Sequence, residues 1–132
     1  MPCIFCRIIE GSAPSFKVFE NEHAYAFLDR AAVAPGHTLV VPRRHTADIW
    51  SIERSEAGRV MEAVHDVARL LGERLRPDGM TISQANRAAA GQDVFHLHVH
   101  LIPRHDGDGL LPRWASTHPS EQELRTVHAA IS

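Results

Sequence analysis

Only two cysteines occur in the 132 residues, and both, Cys3 and Cys6, fall in the opening segment. No apolar run approaches the roughly 18 residues needed to cross a bilayer. The first residues, MPCIFCRIIEGSAP, lack the basic stretch followed by a long apolar one that marks a secretory signal. The expected compartment is therefore the cytoplasm, with a reduced thiol or thiolate pair in place of a structural disulfide. Excess charge is missing too: the formal net charge is −2, so no global field draws the chain to nucleic acid or to an acidic membrane. Repeats, low-complexity tracts and dividing linkers are also absent. Residues 1–132 are expected to form one domain, long enough to bury a core without disulfide staples. The hydrophobic fraction of 44% and charged fraction of 23% suit an ordinary soluble globular protein.

Residues 17–29, KVFENEHAYAFLD, read as a hairpin around the polar Glu20-Asn21-Glu22 turn. Pro35-Gly36 punctuates the chain, and 37–42, HTLVVP, reads as a buried strand closed by Pro42. Residues 55–75 carry Val60, Val64, Val67, Leu70, Leu71 and Leu75 at helical spacing, and Pro77-Asp78-Gly79 stops this one long helix. A strand is expected over 79–85, an Ala/Gly-rich loop over 86–92, and a last strand over 94–104 ended by Pro103. Ser120 and Glu123 form a capping box for a short terminal helix. The fold class is therefore α+β: an antiparallel sheet of about five strands, covered on one face by the long central helix, with short terminal helices.

The segment VFHLHVHLIPR (94–104) places three of the ten histidines within five positions. Successive strand side chains point to opposite faces, so Phe95, Leu97, Val99 and Leu101 are expected against the helix and His96, His98 and His100 on the other face. Three alternating imidazoles can donate, accept, attack phosphorus or bind metal near neutral pH. Two histidines two apart on a strand can also share one zinc, so a catalytic metal on all three is a competing reading, one that a chelator would silence.

HLHVHLI at 96–102 resembles the histidine-triad motif. CIFCRIIEGSAP, the FLD of 27–29, APGHTLVVPRRH at 34–45 and AGQDVFHLHVHLIPR at 90–104 are similar to the family's companion segments in the same order. The resemblance implies a nucleotide-binding hydrolase or transferase acting at the α-phosphate of nucleoside phosphoramidates, dinucleoside polyphosphates or adenylylated groups. It makes His98 the nucleophile, forming a nucleotidyl-histidine that water hydrolyses. A histidine is substantially neutral at pH 7 and competent for that attack. His100 would hydrogen-bond a phosphate oxygen or protonate the leaving group. His37 matches the family's fourth histidine and would orient the triad. Asp29 matches the carboxylate that holds the ribose hydroxyls, and Ile4 and Phe5 would line the base pocket. Gly91 and Gln92 open the run that lets backbone N–H groups approach a phosphate.

Two departures stand out. Position 93 is Asp93 where relatives often have Ser or Thr; a carboxylate beside phosphate repels it, so Asp93 either turns away or deals with a cationic leaving group such as an amine. The family's Asn-x-Gly reads Ala85-Asn86-Arg87 here, and Asn86 substitutes only if the loop shifts by one residue. Cys3-x-x-Cys6 is weak evidence alone. Family members with a structural zinc complete it with residues matching His45 and His96, so zinc on Cys3, Cys6, His45 and His96 is expected, with His98 and His100 left facing the substrate. The leading expectation is release of AMP from an adenosine phosphoramidate or related adenylylated substrate. Dinucleoside polyphosphate hydrolysis is the alternative within that chemistry, and a nucleotide-binding or scaffold protein the alternative outside it. Relatives are usually homodimers, so a dimer is expected, with Trp114 a candidate contact at the partner's site.

Overall fold

A computed structural model describes residues 3–110 and 116–132; Trp114 lies outside them. Asn21 makes the first turn: its Oδ1 accepts from the N–H groups of His23 and Ala24, both at 2.8 Å, and folds one strand onto the next. The chain runs α1 (Ile4–Glu10), β1 (Lys17–Glu20), β2 (Ala24–Leu28), β3 (Thr38–Pro42), α2 (Arg54–Leu75), β4 (Gly79–Ser83), a 3-10 turn (Ala88–Ala90), β5 (Val99–Arg104) and α3 (Glu121–Ile131). The class is α+β, and the five strands form one antiparallel sheet in the order β1-β2-β3-β5-β4.

Period-two alternation divides this sheet between two apolar clusters. Ala24, Ala26, Val40, Leu97 and Leu101 pack with the buried stripe of α2: Val60, Ala63, Val64, Val67 and Leu71. Tyr25, Phe27, Leu39 and Val41 pack on the opposite face with Phe5 and Ile8 of α1. The expectation of a sheet covered on one face is thereby corrected, because the apolar positions of α1 roof part of the second. The stripe of α2 follows 3.6 periodicity, though Leu75, expected in it, is 45% exposed at the helix end. There Arg76 turns left-handed (φ 50) and Pro77 prevents continuation. Gly36 packs against this end with φ +88, a left-handed conformation that favours glycine, and a Cβ there would press on the Leu75 side chain.

The last strand starts later than its alternation suggests, at Val99 instead of Val94. Leu97 N–H bonds to Thr46 O at 2.7 Å, and the His96 ring bonds to Pro42 O, so 96–97 contact the exit of β3 without joining its ladder. Phe95, expected against α2, is instead 54% exposed. The strand continues past Pro103 to Arg104, where only β4 pairs with it; the register to β3 ends at Leu101, and proline is tolerated on such a half-paired stretch. At the C-terminal end α3 begins with the expected capping box: Glu123 N–H donates to Ser120 Oγ, and Ser120 N–H to Glu123 Oε1. Among the described residues no helix is long and apolar enough to cross a membrane.

Candidate functional site

Ring hydrogen bonds set the tautomer of each histidine around the start of β5. The Nδ1–H of His98 donates to the carbonyl of His96 at 2.8 Å, which leaves the Nε2 lone pair free. The N–H of Val33 donates to His37 Nδ1 at 3.1 Å, so the His37 proton sits on Nε2, which donates to His100 Nδ1 at 2.9 Å. His100 must then carry its own proton on Nε2. The result is a nucleophilic nitrogen on His98 beside a hydrogen-bond donor on His100, with ring centroids 5.0 Å apart. His37 (4% exposed) is held behind them, after the Pro35-Gly36 turn.

His98 and His100 open into a cleft of ≈ 240 Å³ whose apolar end is formed by Ile4, Phe5, Ile8, Phe27 and Leu39. Asp29 and Asp93 also line it. Asp29 stands at the exit of β2. Its Oδ1 accepts from Ala31 N–H at 2.9 Å, and its Oδ2 lies 3.4 Å from His37 Nε2. Phe5 is buried and sits edge-on to His98, His96 and Phe27 at 5.2, 5.8 and 5.3 Å between centroids. Asp93 does not turn away: its Oδ1 is 3.8 Å from His98 Nε2, on a side chain 85% exposed.

Three other expected site residues serve the frame of the loop. Asn86 lies outside the cleft. Its Oδ1 accepts from Ile49 N–H and from Gln84 Nε2, and its Nδ2 donates to Gln84 Oε1, so the oxygen and one N–H of the amide are held by the loop, away from the cleft. Gly91 N–H and Gln92 N–H are spent on Ala88 O and Arg87 O, which corrects the expectation that they approach a ligand. Gly91 instead supplies the left-handed residue (φ +94) that ends the 3-10 turn. Gln92, 4% exposed, clamps Arg87 N–H, Ala47 O and Val94 O. Sequence reasoning missed the contacts of Arg87, which takes a positive φ of 70. Its guanidinium lies 4.4 Å over the Trp50 ring and 3.3 Å from Asp48 Oδ2.

The opening Cys-x-x-Cys occupies the first turn of α1 and meets His45 and His96. Sγ of Cys3 and Cys6 lie 3.4 and 3.6 Å from His96 Nδ1, and Cys6 Sγ lies 3.4 Å from His45 Nδ1. Bonds of about 2.3 Å to sulfur and 2.0–2.1 Å to nitrogen at tetrahedral angles give S···N edges of about 3.5 Å, so this donor set fits zinc. The Nε2–H of His96 donates to Pro42 O at 2.8 Å, which turns the Nδ1 lone pair towards the sulfurs. Without a cation, burial and the neighbouring Cys3 sulfur push the Cys6 thiol up, the condition a bound metal reverses. The triad does not converge on one metal: among the described residues the two candidate groups are this one and Asp29, His37 and His100. The second is poorly suited, because Val33 N–H already occupies His37 Nδ1 and forces the proton onto the nitrogen that a metal would need.

Burial pushes His100 below the ordinary value of 6.5, with His98 and His37 adding to the effect. Burial also lowers His37, partly offset by Asp29. Both rings are therefore neutral at pH 7. As pH falls through 6.5 the unfolded chain takes up protons before these folded rings do, so stability declines on the acid side and is regained as pH rises. Calorimetry of chelator-treated protein, in which metal release plays no part, is expected to show Tm falling from pH 6.5 to 5.5. A Tm that rises over that interval contradicts the assignment of neutral rings.

A model of the HIT domain matches residues 10–107. The crystal structure of a HIT family member from Bacillus subtilis superposes with a TM-score of 0.92 at 38% identity, covering 99% of this chain and 95% of that one. A Zn-bound histidine triad family protein from Mycobacterium smegmatis gives 0.81 at 34% identity, covering 99% and 96%. An adenosine 5′-monophosphoramidase of Saccharomyces cerevisiae is 35% identical over 130 residues, 98% of this chain and 80% of that protein. With its histidine motif, its sheet and these likenesses in agreement, the chain belongs to the histidine triad (HIT) family.

Proposed function

We propose that this protein is a nucleotide hydrolase or nucleotidyl transferase acting at the α-phosphate of adenosine phosphoramidate-type or other adenylylated substrates. The observation that carries the reading is the unprotonated Nε2 of His98, held outward by the bond from Nδ1 to His96 O, beside the proton-bearing Nε2 of His100. Family membership and the yeast relative's name support the same class. In this mechanism the His98 Nε2 lone pair forms a bond to phosphorus. The phosphorus–nitrogen bond breaks with its electron pair going to the leaving nitrogen, which has taken a proton from solvent. Water then attacks phosphorus and gives up a proton to solvent, and the pair of the His98–phosphorus bond returns to Nε2, leaving AMP. Neutral His100 is a hydrogen-bond donor to a phosphate oxygen; with its Nδ1 already accepting from His37, it is poorly placed to act as an acid. Asp29 holds the ribose hydroxyls through lone pairs its turn leaves open, and Ile4 and Phe5 form the base end of the cleft.

Zinc on Cys3, Cys6, His45 and His96 belongs to the same reading. When bound it supplies a cross-link between α1 and the strands, with no part in the reaction. The protein is also proposed to act as a homodimer. An apolar groove of ≈ 270 Å³ lined by Ile49, Ile52, Met61, Ile82 and Val99 lies against the free edge of β4, and Trp50 beside it is 67% exposed. Sedimentation at micromolar concentration is expected to give a dimer that Met61→Glu dissociates; a wild-type monomer ends this part of the reading.

The central experiment mixes the protein with adenosine 5′-phosphoramidate, quenches it within the first turnovers and measures the intact mass and free AMP. An adenylyl increment with AMP release is the expected result. Binding of AMP with neither adduct nor turnover transfers the protein to the alternative reading, a nucleotide-binding or scaffold role.

A further inference from the structure

The charged groups of the cleft are unevenly placed. Arg30 lies next to Asp29 at the end of β2 and is drawn towards Phe16, with its guanidinium carbon 5.7 Å from that ring centroid. Among the described residues the carboxylates lining the cleft are Asp29, whose Oδ2 lies beside His37, and Asp93, which stands beside His98. Its carboxylate stands 3.8 Å from His98 Nε2, too far for a hydrogen bond, and the Nε2 of a neutral His98 has no proton to offer. Among the described residues Asp93 accepts no hydrogen bond, and it is 85% exposed. The carboxylate thus has no hydrogen-bond partner among the described residues and stands beside the reacting nitrogen. Its exposure puts it on the solvent-facing side of the cleft.

We propose that Asp93 is a specificity-determining residue that makes the leaving-group subsite select leaving portions bearing a protonated amine and reject anionic ones, polyphosphates included. The inference rests on the function proposed above and specifies its substrate class. An ionised carboxylate is an acceptor only, so it can take hydrogen bonds from an ammonium and offers nothing to a phosphate oxygen. Across an attacked phosphorus the leaving atom lies only about 4 Å from the nucleophile, so a charge two or three bonds further out, on a substituent that bends towards the carboxylate, comes within about 5–6 Å of Asp93. At that separation and near-bulk screening, Coulomb's law gives roughly three- to fourfold per unit charge, or about tenfold between leaving groups of charge +1 and −1. The effect acts on how well each substrate is held and reacts, and needs no change in the covalent chemistry.

The test uses two adenosine 5′-phosphoramidates of matched size, one carrying N-(2-aminoethyl) and the other N-(2-carboxyethyl), with kcat/KM measured at low salt and pH 7.5. The wild type is expected to prefer the aminoethyl compound about tenfold. Asp93→Asn is expected to bring the ratio near one, Asp93→Lys to reverse it, and added salt to compress it in the wild type. A wild-type ratio near one, or a ratio that Asp93→Asn leaves unchanged while AMP is still released, overturns the role of Asp93 and leaves the hydrolase reading intact. Failure to release AMP from either compound, and from the unsubstituted phosphoramidate, removes the hydrolase reading and this inference together.

Discussion

His98→Ala is expected to lower AMP release from adenosine 5′-phosphoramidate by about 10³-fold or more, and to abolish the adenylyl adduct. The size follows from what the substitution removes. His98 supplies the bond-forming electron pair, and its neighbours cannot take its place. His100 Nδ1 is occupied by His37 and its Nε2 carries a proton, while His96 Nδ1 faces Cys3 and Cys6. His37→Ala is expected to cost far less, about tenfold, because it loosens the orientation of His100 without removing the reacting atom. The Tm of each variant separates chemistry from folding, since His98 is itself buried at 6% exposure. Rescue of His98→Gly by added imidazole would tie the loss to the missing ring. If His98→Ala turns over at near the wild-type rate, the proposed nucleophile is wrong.

Metal removal is expected to have the second largest effect. Metal analysis should find one zinc per chain, and a strong chelator or Cys6→Ser should lower Tm by roughly 10 °C, equivalent to about 3 kcal/mol for a chain of this size. Helix α1 has only seven residues, a length that does not sustain a helix in water by itself. Apart from the apolar contacts of Phe5 and Ile8, the attachment of its first turn is the Cys3, Cys6, His45 and His96 cluster. Because Phe5 sits edge-on to both His96 and His98, loosening α1 also moves the wall of the cleft. KM should therefore rise by a larger factor than kcat falls, whereas a catalytic metal would take kcat with it. His45→Ala, at an exposed ligand, offers a milder version of the same test. Absence of zinc in purified protein together with an unmoved Tm would exclude the structural role.

Much of the architecture could be read locally. The Asn21 turn, the stripe of α2, the Pro77 stop and the Ser120–Glu123 box each depend on groups within a few residues of one another. The elements whose bounds the spacing predicts agree with the observed ones to within a residue or two, β5 excepted; the bounds of α1 were not among them. Local patterning misplaced the start of β5 because what ended its ladder was distant: Thr46 O and Pro42 O captured Leu97 and the His96 ring. The one-residue shift that would bring Asn86 to the cleft failed for a similar reason. Its amide is committed to Gln84 and to Ile49, 37 residues away.

By itself, then, the sequence determined an α+β chain, three histidines at alternate positions leading into the last strand, and two thiols three residues apart, because all of these follow from spacing along the backbone. Tertiary structure alone decided the chemistry of each ring. Which nitrogen of His98 is free depends on the carbonyl that the turn at His96 leaves unpaired. Which nitrogen of His100 carries the proton depends on Val33 and His37, more than 60 positions away. The convergence of Cys3 and Cys6 with His45 and His96, 93 residues on at its widest, likewise exists only once α1 has closed over the sheet. Spacing can supply donors and acceptors, but their pairing is settled by the packing that brings distant backbone groups within about 3 Å.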